Sequence, residues 1–175
     1  MKIKSLLCNS GNPSFWFNQE YHSPKHFMKF ILSKQFEDQY IQEWNLEVNR
    51  NRKCIIYRVF KETHGFEKYL TKLNFVERRA LCKFRTGNHR LPIAKSRYTT
   101  TDLDLGCKFC ISNDICDEFH LLFNCKYFEE KRKLLLKKFF YVRPNTVKMG
   151  LLFNSTNIRQ LKNLAKFTQV IMAKF

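Results

Sequence analysis

The segment "CKFCISNDICDEFHLLFNC", Cys107 to Cys125, holds four of the chain's seven cysteines and one of its five histidines within nineteen residues. The two-residue gap between Cys107 and Cys110 lets both sulfurs reach one ion from a turn. His120 and Cys125, five apart, can do the same from a helix end. Three thiolates and one imidazole complete a tetrahedral zinc shell with no open position, so the pattern points to one structural Zn2+ and not a catalytic one. A site of this kind stabilises its fold by roughly 10–16 kcal/mol at neutral pH, comparable to the whole stability of a domain. Cys116 lies inside the nine-residue gap between Cys110 and His120 as a rival fourth ligand. The competing reading makes Cys107, Cys110, Cys116 and Cys125 small buried hydrophobes and His120 a core imidazole. Cys8, Cys54 and Cys82 are isolated and read as buried thiols.

Clustered thiols hold metal where the surroundings are reducing, and nothing here argues for export. The start "MKIKSLLC" is basic then apolar, but its apolar part is too short for a signal peptide. Apolar runs such as Leu134 to Leu136 fall far short of the ~20 residues of a spanning helix. The expectation is an intracellular chain, nuclear or cytoplasmic, with no membrane role. With 175 residues, 44% of them hydrophobic and eighteen of them Phe, it can bury a core. Thirty-two Lys and Arg against fifteen Asp and Glu give +17, a surplus suited to nucleic acid, an anionic surface or an acidic protein. The Lys, Asn, Phe and Ile richness also fits drift in an A·T-rich genome.

Along the chain, residues 1–22 show no clear period, carry the turn chemistry "NSGNPS", and read as a loose lead-in. Ser23 and Pro24 look like an N-cap with proline at the first helical position. Behind them Met28, Leu32, Phe36, Tyr40, Trp44 and Val48 mark one stripe of a long helix ending near Asn49. "CIIYRVF", Cys54 to Phe60, reads as a short strand or a buried helical turn. Phe66–Leu73 and Phe75–Phe84 read as helices, the second stopped by Gly87. "LPIAKSRYTTTDLDLG" reads as loop after Pro92. Asp117 and Glu118 stand where a helix would begin, through Phe123. Tyr127–Phe140, Val147–Phe153 and Ile158–Phe175 complete the helices. The last carries Ile158, Leu161, Leu164, Ala165, Phe167, Ile171 and Met172 on a wide apolar face.

The predicted architecture is therefore mostly α: several amphipathic helices around one core, with a small zinc-stapled loop-helix lobe. The divisions are 1–22, lead-in; 23–100, helices with a basic loop; 101–143, zinc-binding lobe; and 144–175, C-terminal helices.

From Arg78 to Tyr98, "RRALCKFRTGNHRLPIAKSRY" has seven Lys or Arg in twenty-one residues and no acid. Phe84, His89 and Tyr98 interleave. Cations attract phosphate and aromatic faces stack on bases, the requirement for unpaired nucleic acid. The candidate contacts are Arg85, His89, Arg90, Lys95, Arg97 and Tyr98, and the competing reading is a solvated face with rings turned inward, which suits Phe84. A second basic run, Lys131 to Lys138, reads equally as a further nucleic-acid contact or as only the wet side of its helix.

"ALCKFRTGNHRLPIAKSRY", "CKFC" and "DEFHLLFNC" together resemble the C-terminal zinc-binding region of reverse transcriptase-like proteins from non-LTR (LINE-type) retrotransposons. The likeness runs from about Lys29 to the end and is strongest from Leu81 to Cys125. It implies Cys107, Cys110, His120 and Cys125 as ligands, and a role in holding template RNA or target DNA beside a polymerase. The family usually has glycine before "DE", where this chain has Cys116. No adjacent aspartate pair, which a polymerase uses to hold its metal ions, occurs anywhere. Asp102 and Asp104 lie in a loop, so no catalysis is expected of the chain itself. The expectation is a non-catalytic module for RNA or single-stranded DNA. The alternatives are a structural module docked on a polymerase domain and a retroelement fragment without function.

Overall fold

The computed structural model describes residues 2–18, 24–97, 99, 104–112 and 114–175. The mostly helical class expected from the sequence is what is found. Among the described residues extended pairing is confined to one antiparallel bridge, Gly106 with Ile115. Contacts divide the chain into two compact units, Met1–Glu47 and Val48–Phe175.

The first unit holds α1 (Lys2–Asn9), α2 (Pro13–Phe17) and most of α3 (Lys25–Arg50), which runs on into the second. Two short helices thus stand where turn chemistry alone was expected. The stripe on α3 is helical as predicted, yet only Val48 of it is buried, and Phe36 and Tyr40 are exposed. Geometry explains this. At ~3.6 residues per turn a spacing of four drifts by about 40° per step, so six such residues wind halfway round the helix and do not share one face. The predicted cap residue Ser23 lies outside the described residues.

In the second unit the helical of the two readings for Cys54–Phe60 is the one found: a 3-10 turn (Arg52–Cys54) leads into α4 (Tyr57–Phe60), with Phe60 buried. Only Tyr69–Lys72 (α5) of the predicted Phe66–Leu73 helix forms. α6 (Phe75–Arg85) opens on a full capping box. Asn74 accepts from the Glu77 N–H, and the Glu77 carboxylate accepts from the Asn74 N–H. It stops at Gly87, whose φ of +65° is the left-handed conformation glycine tolerates best. Beyond it, the predicted loop is partly helix, since Pro92 occupies the first position of α7 (Pro92–Ser96).

The expected Tyr127–Phe140 helix is broken into a 3-10 turn (Lys126–Phe128), α8 (Glu129–Leu135) and α9 (Lys138–Tyr141). α10 (Thr146–Phe153) and α11 (Ile158–Met172) start on Asn145 and Asn157, each accepting a hydrogen bond from the backbone N–H three residues on. α11 packs chiefly on α6, and also on α8, α10 and α5. It buries Leu161, Leu164, Ala165, Phe167 and Ile171, and the Leu, Phe and Ile side chains are each worth roughly 1.5–3 kcal/mol when fully removed from water. Phe60 stacks on Phe153 at 4.7 Å, and Phe84 on Phe153 at 6.2 Å. Cys107, Cys116 and Cys125 belong to this same core.

Candidate metal centre

The loop carrying Cys107 and Cys110 closes on itself. Cys107 N–H donates to the Asp114 carbonyl at 2.9 Å and Cys116 N–H to the Leu105 carbonyl at 2.7 Å, flanking the Gly106–Ile115 bridge. The second ligand pair comes from a single wide helical turn, His120–Asn124, in which the Cys125 N–H reaches the His120 carbonyl five residues back at 2.8 Å. Such an i→i+5 turn, rare and often found at functional sites, brings residues five apart together where an α-helix would splay them. Asp117 fixes its start by accepting the His120 N–H at 2.7 Å. The helix-start role expected of this acid is its observed role.

The four ligand atoms of Cys107, Cys110, His120 and Cys125 lie within 4.8 Å of one another. The Cys107 and Cys125 sulfurs are 3.8 Å apart. A tetrahedron with metal–sulfur bonds of about 2.3 Å has a sulfur–sulfur edge of about 3.8 Å, so this pair fits one ion. The Cys110 sulfur is 3.2 Å from His120 Nε2, which makes Nε2 the ligating nitrogen. His120 Nδ1 lies 3.3 Å from a carboxylate oxygen of Asp114. A carboxylate beside the second nitrogen of a ligating histidine is the usual orienting partner. Three sulfurs, one nitrogen and no open position fit a single structural metal.

The thiols differ in electrostatics. Burial pushes the Cys110 thiol up, but hydrogen bonds from the Ser112 hydroxyl and backbone, with Cys107 and His120 nearby, outweigh this and bring it to about 6. Burial and the neighbouring Cys107 push the Cys116 thiol up to about 12. Cys116 is buried and lies outside the four-ligand group, so geometry sets it apart from the rival ligand its position allowed. Burial likewise holds Cys125 at about 12. A divalent cation reverses that balance, because a coordinating thiol is deprotonated outright. The isolated Cys8, Cys54 and Cys82 are half-buried, not fully buried as expected.

Two buried cations support the centre. Arg132 donates from Nε to the Leu122 carbonyl at 2.6 Å and from a terminal nitrogen to the Cys125 carbonyl at 2.8 Å, so its guanidinium caps the end of the ligand turn. Burial lowers its pKa. Both readings of residues 131–138, a solvated face or a further nucleic-acid contact, place the cations outside, and the buried Arg132 departs from that run. On the other side, the fully buried Glu118 meets His89 Nε2 at 3.0 Å and Arg97 at 3.1 Å. Burial opposes the Glu118 charge, yet the His89 hydrogen bond and the Arg97 charge hold its pKa below the ordinary value. Gly87 makes the approach possible. A Cβ there would stand 2.6 Å from an Arg97 nitrogen and 2.7 Å from the Lys53 carbonyl oxygen.

This corrects three of the six expected nucleic-acid contacts. His89 and Arg97 are spent on Glu118, with side chains 1% and 7% exposed. Arg85 is buried in an aromatic cage, 4.3 Å from the Phe60 ring centroid, pairs with Glu67 at 2.6 Å and donates to the Phe153 carbonyl at 3.0 Å. Only Arg90 and Lys95 are exposed, and Tyr98 lies outside the described residues. The "TGNHRLP" stretch is thus a structural clasp between α6 and the metal loop. Searches against protein-family models, curated proteins and solved structures find no match to this chain.

Proposed function

We propose that the chain is a zinc-stapled module that binds RNA or single-stranded DNA without catalysis of its own, in the manner of the retrotransposon tail it resembles. The four-ligand cluster supports the reading, and zinc is the metal that a closed three-thiolate, one-imidazole shell suits best. Such an ion supplies rigidity. The residues around it do the positioning, since Arg132 and Glu118 tie the ligand turn to α8 and to the basic loop.

Most Lys and Arg of the described residues are exposed, in a chain whose net charge is +17. A surface of this sign attracts a polyanion and releases its counterions, so binding weakens steeply with salt. No adjacent aspartate pair exists to hold catalytic metals. No helix of the described residues is long and apolar enough to cross a membrane, and a reducing intracellular compartment, nuclear or cytoplasmic, suits free thiols.

The test is metal analysis with a binding titration on the full chain. One zinc per chain and salt-sensitive binding of a single-stranded oligonucleotide support the reading; absence of binding at low salt ends it. A second reading has its own observation. Phe27 and Phe30 on α3 are 48% and 67% exposed, a surface suited to docking on a protein domain such as a polymerase.

A further inference from the structure

A cavity of about 340 Å3 lies between α7, the metal loop and the end of α11. Four cations line it: Arg90, Lys95, Lys108 and Lys174, together with the half-buried rings of Phe109 and Phe175. Arg90, Lys95, Lys108 and Lys174 are exposed, and none forms an ion pair among the described residues. Lys174 instead stands 5.4 Å over the Tyr127 ring. The one acid on the wall among the described residues, Asp104, accepts the Gly106 N–H at 2.9 Å, so its charge is partly engaged in the turn. The wall therefore combines a net positive charge with apolar ring surface, which neither a plain phosphate nor an apolar ligand needs together.

We infer that this cavity seats one unpaired nucleotide of a single strand, its base against the Phe109 and Phe175 rings and its flanking phosphates on Lys95, Lys108 and Lys174. The inference rests on the chain being a nucleic-acid-binding module and adds where and in what form the strand is held. Lys108 and Phe109 are the two residues between Cys107 and Cys110, so metal coordination sets the positions of one phosphate contact and one stacking ring. Phe109 is held further by edge contacts to Phe128 at 6.0 Å and Phe175 at 5.2 Å. A duplex cannot insert a stacked base into such a recess without flipping it out, which costs pairing energy.

The experiment is fluorescence anisotropy of the zinc-loaded full chain with a labelled oligo(dT) and a duplex of equal length. The variants are a Lys95→Ala/Lys108→Ala/Lys174→Ala triple and a control triple at Lys131, Lys137 and Lys138, which loses the same charge from another surface. Three phosphate contacts at about 0.7 each predict that the cavity triple reduces the salt slope by about 2 and weakens binding at least tenfold. The control triple should change affinity less than threefold, Phe109→Leu should weaken the single strand only, and chelation should reproduce the loss. Equal weakening by the two triples overturns the site while leaving general nucleic-acid binding intact. So does a duplex bound as tightly as the single strand. Polyglutamate competing as well as oligo(dT) would make the occupant an acidic protein and overturn it. Failure of the parent to bind any oligonucleotide removes the proposed function itself.

Discussion

The Glu118 carboxylate and the His89 imidazole meet at 3.0 Å with side chains 0% and 1% exposed, although 29 residues separate them in the chain. With Arg97 3.1 Å from the same oxygen, they form a buried ion network that joins the basic loop to the helical turn carrying His120 and Cys125. Replacing one member leaves the others charged or unpaired in the interior.

Glu118→Gln should therefore destabilise the chain by about 3 kcal/mol or more, since breaking a buried pair strands the partner charge. Adding Arg97→Leu should cost much less than its effect alone, because the stranded guanidinium is then gone. Denaturant titrations of the two singles and the double measure this. Strict additivity would mean that the network carries no coupling.

Arg132 acts on the metal ligands through the backbone. Its guanidinium satisfies the carbonyls of Leu122 and Cys125 at once, a fork that a lysine ammonium cannot copy. Arg132→Lys and Arg132→Met should both lower metal affinity by about 10- to 100-fold, the range for residues that orient a ligand. Competition with a chromogenic chelator reads the affinity directly. An unchanged value would confine Arg132 to packing.

The cysteines divide sharply. Cys107→Ser, Cys110→Ser and Cys125→Ser should each abolish stoichiometric metal and with it most of the ~10–16 kcal/mol a structural site contributes. Cys116→Ala should keep one metal per chain, because that thiol lies outside the four-ligand group. Elemental analysis after purification without chelator decides it, and loss of metal from the Cys116 variant would make it a ligand.

Gly87 carries the close approach of two segments. Gly87→Ala adds a Cβ at 2.6 Å from Arg97 and 2.7 Å from the Lys53 carbonyl oxygen, and the left-handed backbone alone costs about 1–3 kcal/mol for a non-glycine. Gly11→Ala has the same sign of φ but open space around it. Thermal melts should show a clearly larger loss for the first than for the second, and equal losses would leave only backbone strain.

What could be read from residue order alone was local. Ligand spacing, the Gly87 stop and the apolar face of α11 depend on a few neighbours, and all three appear in the structure. The α3 stripe shows the limit, since a period of four is compatible with a helix but drifts off any single face. Charge was the least legible property. Arg85, Arg97 and Arg132 sit in cationic runs that look solvated, and only the fold reveals the distant Glu67, Glu118 and Cys125 carbonyl that draw them inside. The signal available for Arg97 was the adjacent acids Asp117 and Glu118, which lie between two cation-rich segments.

That distinction separates the cations of the basic stretch by experiment. Arg85→Ala and Arg97→Ala remove buried, paired cations, so each should destabilise folding by about 3–5 kcal/mol and impair binding only through loss of structure. Arg90→Ala and Lys95→Ala remove exposed cations without an ion pair among the described residues, so each should leave the melting temperature within about a degree or two, as surface changes do. Their effect belongs in the binding isotherm, as a reduced affinity and a salt slope lowered by about 0.7 per lost phosphate contact. Neutralising all four together would merge the two effects and report neither. Paired melts and anisotropy titrations on the four single variants keep them apart. A stable Arg97→Ala that binds poorly would return that guanidinium to the nucleic-acid surface.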